Sequence, residues 1–302
     1  MIKYNHTNPK LHHNGVEKFA WMFLGIMSVL FLYPMFIAVM VSVSSEESIR
    51  MNGFQMIPDS FSLEAYKLLI VHYGNSIARA LLLTIGTGIL QPILSIILTM
   101  CMAYPLSQPD FKGRDFWRKF LVVTMLFSGG IVPSYILRTR YLHLQNNILI
   151  YLIPGVGAWG VFLFRTFFVN IDKSMVESAK IDGASNFQVL WKIMLPLTKP
   201  LVAMNFFNGF LGRWNDINTC LYYIRDRKLY TVQYLLQEML RSADETKALI
   251  EAGLSPGMDT IQIPVESTRY ALAVIGALPV FLLFPFIQKY YAKGIMIGST
   301  KG

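Results

Sequence analysis

Hydrophobic residues come in long blocks separated by polar links, at about 19–43, 76–106, 120–137, 148–168, 200–224 and 268–288. About 20 apolar helical residues suffice to cross a hydrocarbon core of roughly 30 Å. The pattern therefore predicts an all-α membrane protein with six transmembrane helices in residues 19–288, a tail over 1–18 and a second tail over 289–302. Between the first two blocks lie Glu46, Glu47, Asp59 and Glu64 with turn formers, an external cap in which Ser62 starts a short surface helix through Tyr66. A further outer segment runs from 225 to 267 and contains Gly-Leu-Ser-Pro-Gly at 253–257.

Basic residues orient the blocks. Lys112, Arg114, Arg118 and Lys119 crowd the second link, and such clusters favour the cytoplasmic side. Counting crossings from there puts both termini and the 169–200 stretch in the cytoplasm, and a short link with Arg138, Arg140 and His143 outside. Gly86, Gly88 and Pro92 in the second block, and Pro154, Gly155, Gly157 and Gly160 in the fourth, mark spans that pack closely. The fifth block is the least lipid-like, with Asn205, Asn208, Arg213, Asn215, Asp216 and Asn218. Polar groups at membrane depth are costly, so they face a cavity, a partner or one another.

Composition sharpens this picture. Hydrophobic residues make up 54% of the 302-residue chain and charged residues 15%, with a mean hydropathy of +0.43, against about 25% charged in soluble domains. The net charge of +9 belongs to membrane orientation and gives no nucleic-acid stripe. Cys101 and Cys220 both fall in apolar segments, and the five histidines are scattered, so neither a disulfide framework nor a metal cluster is expected. The first apolar run, about 25 residues, exceeds the roughly 7–15 of a cleavable signal. No G-x-x-x-x-G-K-[ST] occurs, so energy comes from a partner or an ion gradient. A membrane enzyme finds no support, because H-E-x-x-H pairs, nucleophile elbows and carboxylate dyads are missing.

The polar island from Glu177 to Pro196 holds the most specific signal. Asp172 caps a first helix in which Lys173 and Glu177 have ion-pair spacing, and Asp182-Gly183 stops it. Ser185-x-x-Gln188 is a capping box, and Phe187, Leu190, Trp191 and Met194 follow at i, i+3, i+4 and i+7, on one face. Pro196 closes this second helix at the residue before it. The product is a helix-Gly-helix knob at the membrane surface.

The spacing Glu177-x-Ala179-x-x-x-Gly183, then nine residues to Ile193-x-Leu195-Pro196, resembles the cytoplasmic coupling loop of ABC-importer permeases, which docks into an ATPase subunit. Asp182-Gly183-Ala184 and Pro196-x-x-x-Pro200 look like its carbohydrate-uptake, maltose-permease-like branch, and Ser178 departs from the Ala usual there. The run from Pro285 through Gln288-Lys289-Tyr290 to Lys301-Gly302 resembles the subgroup for complex, often acidic, oligosaccharides. The resemblance implies the permease subunit of an ATP-driven importer in the bacterial cytoplasmic membrane. It implies as partners a second homologous permease, two ATPase subunits that bind ATP and Mg, an extracytoplasmic binding protein and membrane lipid, with no cofactor in this chain. Glu177, Ala179, Asp182, Gly183, Phe187, Leu190 and Trp191 are the expected ATPase-coupling residues, although the aromatic face could instead pack on its own bundle. An amphipathic loop lying on headgroups is the plainer reading of the knob.

Arg213, Trp214, Asn215 and Asp216 are the candidates for a substrate pathway, with Trp214 stacking on a sugar face. Arg213 and Asp216, at i and i+3, could equally neutralise each other. The competing function is a secondary transporter, but no inverted repeat between the halves is visible and Asp216 is nearly the sole intramembrane acid.

Overall fold

The computed structural model describes residues 15–251 and 265–299, which form thirteen α-helices α1–α13, with short 3-10 and π turns. No strand forms among the described residues; one isolated bridge joins Ser44 and Phe61. The tail through residue 14, the 253–257 run and residues 300–302 lie outside the described residues.

Three helices are long and apolar enough to cross a membrane: α1 (Gly15–Ser42), α3 (Glu64–Ser107) and α13 (Val265–Ser299). A fourth crossing exists if α4 (Arg114–Leu126) and α5 (Ile131–Ile136), which continues as a π turn over Leu137–Tyr141, count as one broken span bent by 108°. The expected third span is thus interrupted at residues 127–130, where Gly130 has a φ of +79° that side chains resist. The fourth block is divided too: a 3-10 turn at Ile148–Leu152 precedes α6 (Ala158–Asn170), so Pro154, Gly155 and Gly157 break the helix. Gly160 does mark close packing, with its Cβ position 3.5 Å from the Thr99 side chain. The fifth block holds α10 (Lys199–Trp214) and α11 (Asn218–Tyr223).

Two more expectations need correction. Ser62 does accept a bond from the Glu64 N–H at 3.2 Å, but the helix it starts does not stop at Tyr66; it is α3, 44 residues long. The outer segment after 225 contains a 20-residue helix, α12 (Val232–Glu251).

The residues divide into two compact units. In the smaller, α2 (Glu46–Asn52) is capped by Ser45, and the Glu46 carboxylate accepts from the backbone N–H groups of Glu266 and Ser267 at 3.2 and 3.1 Å, covering the start of α13. The larger unit carries the main core. Met100, Ala103 and Tyr104 of α3 meet Leu121 of α4, Val161, Phe164 and Phe168 of α6, and Leu201 of α10 there. A Cβ on Gly209 of α10 would stand 2.8 Å from the Pro92 ring of α3, so these helices approach only because residue 209 has no side chain. Arg165 and Arg118 both donate to the Leu106 carbonyl, at 3.0 and 3.3 Å, satisfying one of the carbonyls left unpaired at the end of α3.

Candidate functional site: the helix-Gly-helix knob

The knob begins at Asp172, whose Oδ1 accepts the Ser174 N–H at 3.0 Å and starts α7 (Lys173–Ile181). That bond holds the Asp172 carboxyl below the usual aspartate range. At the far end the Ala184 N–H bonds the Ala179 carbonyl at 2.9 Å, and the Gly183 N–H bonds that of Lys180 at 3.1 Å. These two bonds make a Schellman turn, which needs a left-handed residue at Gly183; its φ is +83°. A Cβ there would meet nothing within 4 Å, so the demand for glycine is one of backbone conformation alone.

The second half opens on the complete capping box. Ser185 Oγ accepts the Gln188 N–H at 3.3 Å, and Gln188 Oε1 accepts the Ser185 N–H at 2.8 Å. The short α8 (Asn186–Val189) then widens into a π turn over Leu190–Met194 and resumes as α9 (Leu195–Leu197), so the helix does not end before Pro196. A proline ring collides with the carbonyl four residues back, and the wide turn lies where that carbonyl needs room. The chain turns instead at Thr198, whose Oγ1 donates to the Met194 carbonyl at 2.8 Å.

The expected single apolar face is buried on one flank only. Leu190 and Met194, together with Val189, are buried in the main core, while Phe187 stays 67% exposed. Trp191 is half-buried with its ring 5.8 Å from that of Phe187, and its indole N–H has no acceptor among the described residues. In α7, Val176 is buried and Ala179 packs against the core, which turns Glu177 and Ile181 to the opposite, exposed face. Lys173 and Glu177 form no ion pair among the described residues. Asp182 is exposed and donates its backbone N–H to Ser178.

Ile181 was not among the sequence candidates, yet at 86% it is an exposed isoleucine on a charged helix. Its spacing of four from Glu177 was the available signal. Between the knob and the end of α3 lies a cavity of about 480 Å³ lined by Tyr104, Gln108, Lys180, Asn186 and Phe187, among others.

The pathway candidates are not brought together into one exposed wall. Arg213 pairs with Asp216, which also accepts the Thr219 N–H at 3.0 Å. Trp214 is 1% exposed, stacks on Phe210 with centroids 5.9 Å apart, and donates its indole N–H to the Gly276 carbonyl at 3.1 Å. Its ring is core packing in this conformation and offers no face to a sugar. Asn215 is the exposed one of the four.

Residues 71–297 match the model of a family described as "Binding-protein-dependent transport system inner membrane component". The chain is similar to Protein LplC of Bacillus subtilis (strain 168), at 31% identity over 93% of each chain. It is similar also to the polygalacturonan/rhamnogalacturonan transport system permease protein YtcP of the same organism, at 30% identity over 93% of this chain and 96% of that one. Among solved structures, a chain of a bacterial ABC transporter involved in import of the acidic polysaccharide alginate superposes with a TM-score of 0.79, at 26% identity, covering 96% of this chain and all of that one.

Proposed function

This chain belongs to the family of binding-protein-dependent transport system inner membrane components, and on that premise we propose that it is the permease subunit of an ATP-driven ABC importer that carries an oligosaccharide across the bacterial cytoplasmic membrane. Relatives named for polygalacturonan/rhamnogalacturonan transport and for alginate import support a saccharide cargo. Nothing in that membership favours an ion-gradient-driven transporter. The further partners are an extracytoplasmic binding protein, two ATPase subunits and a second permease, with both termini of this chain in the cytoplasm.

The observation that carries the proposal is the two-sided construction of the knob. Its inner side, Val176, Val189, Leu190 and Met194, belongs to the same core as α3, α6 and α10. Its outer side presents Glu177, Ile181 and Phe187, with Asp182 and Gly183 at the turn between the two helices. An ATPase that grips the outer side and closes on ATP pulls the inner side with it. Because the core is close-packed, the pull passes to the helices that share it as displacement instead of being absorbed locally. On this reading Asn215 and the Arg213–Asp216 pair, at the far end of α10, are the polar groups that respond along the cargo route.

The test is purification of the complex from cells that express the chain with its partner subunits. Ile181→Asp and Phe187→Asp should each leave the chain in the membrane with its second permease while reducing the co-purified ATPase roughly tenfold, as expected when an apolar anchor worth about 1.4 kcal/mol or more is lost. Undiminished ATPase in both variants overturns the knob as the docking element.

A further inference from the structure

On the reading that the chain is a permease of a carbohydrate importer, we propose that Arg138 determines specificity for acidic saccharides. Its guanidinium binds the carboxylate of a uronic-acid unit in transit, and Tyr135 supplies the neighbouring stacking surface.

Arg138 sits in the π turn Leu137–Tyr141, three residues after Tyr135. Widened turns of this kind recur at functional sites. Its guanidinium carbon lies 5.4 Å from the centroid of the Tyr223 ring, and Nη1 lies 3.5 Å from the Tyr223 hydroxyl. Tyr223 is buried and stacked by Tyr135, with centroids 5.6 Å apart and planes 21° from parallel, whereas Tyr135 itself stays 36% exposed. The result is an aromatic pair with the half-buried Arg138 over its Tyr223 ring.

The support beneath this group is rigid. The Leu144 N–H bonds the Arg138 carbonyl at 2.9 Å, and the Asn146 N–H bonds the Tyr223 carbonyl at 2.8 Å. Asn146 Oδ1 accepts both the Arg225 and the Asp226 N–H, at 3.1 and 2.8 Å, so the loop after the turn is tied to the end of α11. His143 and Asn146 hold φ values of 49° and 55°, in the left-handed region that these two residue types enter more readily than most.

Charge then selects the ligand. Arg213 is paired with Asp216. Arg138 and the exposed Arg140 have no carboxylate partner among the described residues. A neutral saccharide needs hydroxyl partners and an aromatic face, and leaves a surplus guanidinium uncompensated. A uronate brings one planar carboxylate per unit, which the guanidinium fork meets with two parallel bonds.

The experiment uses the whole importer, both permeases, the ATPases and the binding protein, in proteoliposomes. Its probes are short oligogalacturonates and oligomannuronates, and the methyl ester of each, which keeps the hydroxyls and removes the charge. Arg138→Gln should lower uptake of the acids roughly tenfold, the size of one lost charged hydrogen bond, and leave the esters unchanged; Arg138→Lys should recover part of the loss. Equal loss on acid and ester, the result if Arg138 meets an acidic surface of the binding protein instead, overturns the inference, and so does an unchanged rate on both. A wild-type complex that carries only the esters retains the importer and overturns Arg138 as an acid selector. Failure of the chain to assemble with an ATPase overturns the importer reading, and this inference falls with it.

Discussion

Gly183 and Trp214 are each an unusual residue at a sensitive place, and the structure gives them opposite characters. At Gly183 space is free and the backbone is left-handed, so a Cβ costs about 1–2 kcal/mol through φ alone. Gly183→Val should keep membrane levels and the second permease but lower ATPase pull-down and uptake together. Gly183→Asn should do so less, since Asn tolerates this region. Equal pull-down by wild type, Val and Asn would remove the left-handed turn from the docking account. Trp214 is spaced along α10 as a lining residue could be, but spacing does not tell which side of a helix meets its neighbours. Phe210, one turn earlier, and the Gly276 carbonyl claim the ring. Trp214→Ala should therefore destabilise the protein by about 3–5 kcal/mol, as large-to-small core changes do. A lower melting temperature in detergent checks this; full stability with reduced uptake would return Trp214 to the cargo route.

At the scale of elements, what side chains bond locally was legible and what neighbours impose was not. Asp172, the Ser185 and Gln188 pair and Gly183 act within a few residues of themselves, and each forms the cap or turn its identity demands. The π turn at Leu190–Met194 answers to Pro196 and to the core beneath, and a regular 3.6-residue wheel does not tell that Leu190 is buried while Phe187 is 67% exposed. Hydropathy has a similar blindness to breaks, because Gly and Pro serve both tight packing and interruption inside apolar segments. Gly160 and Gly209 pack; Gly130, Pro154 and Gly157 interrupt. Gly209→Ala should hence lower the amount of folded protein, with Gly212→Ala, which meets nothing within 4 Å, as the neutral control. Equal yields from the two would show that Pro92 gives way. The continuous α3 adds a quantity: its 44 residues span about 66 Å, roughly twice a hydrocarbon core, so a substantial part of it stands outside the bilayer.

For the whole molecule, orientation is the property on which the function rests. With exposed Cys101 replaced by serine and Cys220 buried, cysteines introduced one at a time at Lys112, Ser178 and Ala248 can be probed on intact cells with an impermeant thiol reagent. Ala248→Cys should react, and the other two should react only after permeabilisation. Labelling of Ser178→Cys in intact cells would put the knob on the wrong side for any cytosolic ATPase. The knob has one further property that matters to such a partner. Both of its helices are closed by their own side chains and backbone, Asp172 and the capping box at the starts and the Schellman turn between. Its ordering entropy is therefore spent when the chain folds, before any partner arrives. The proposed docking then brings a preformed knob to its partner, with a heat-capacity change set by the modest apolar area around Ile181 and Phe187 and free of a coupled-folding contribution from this chain. Mutations on the outer face should accordingly show themselves in the lifetime of the complex and leave its rate of formation nearly constant.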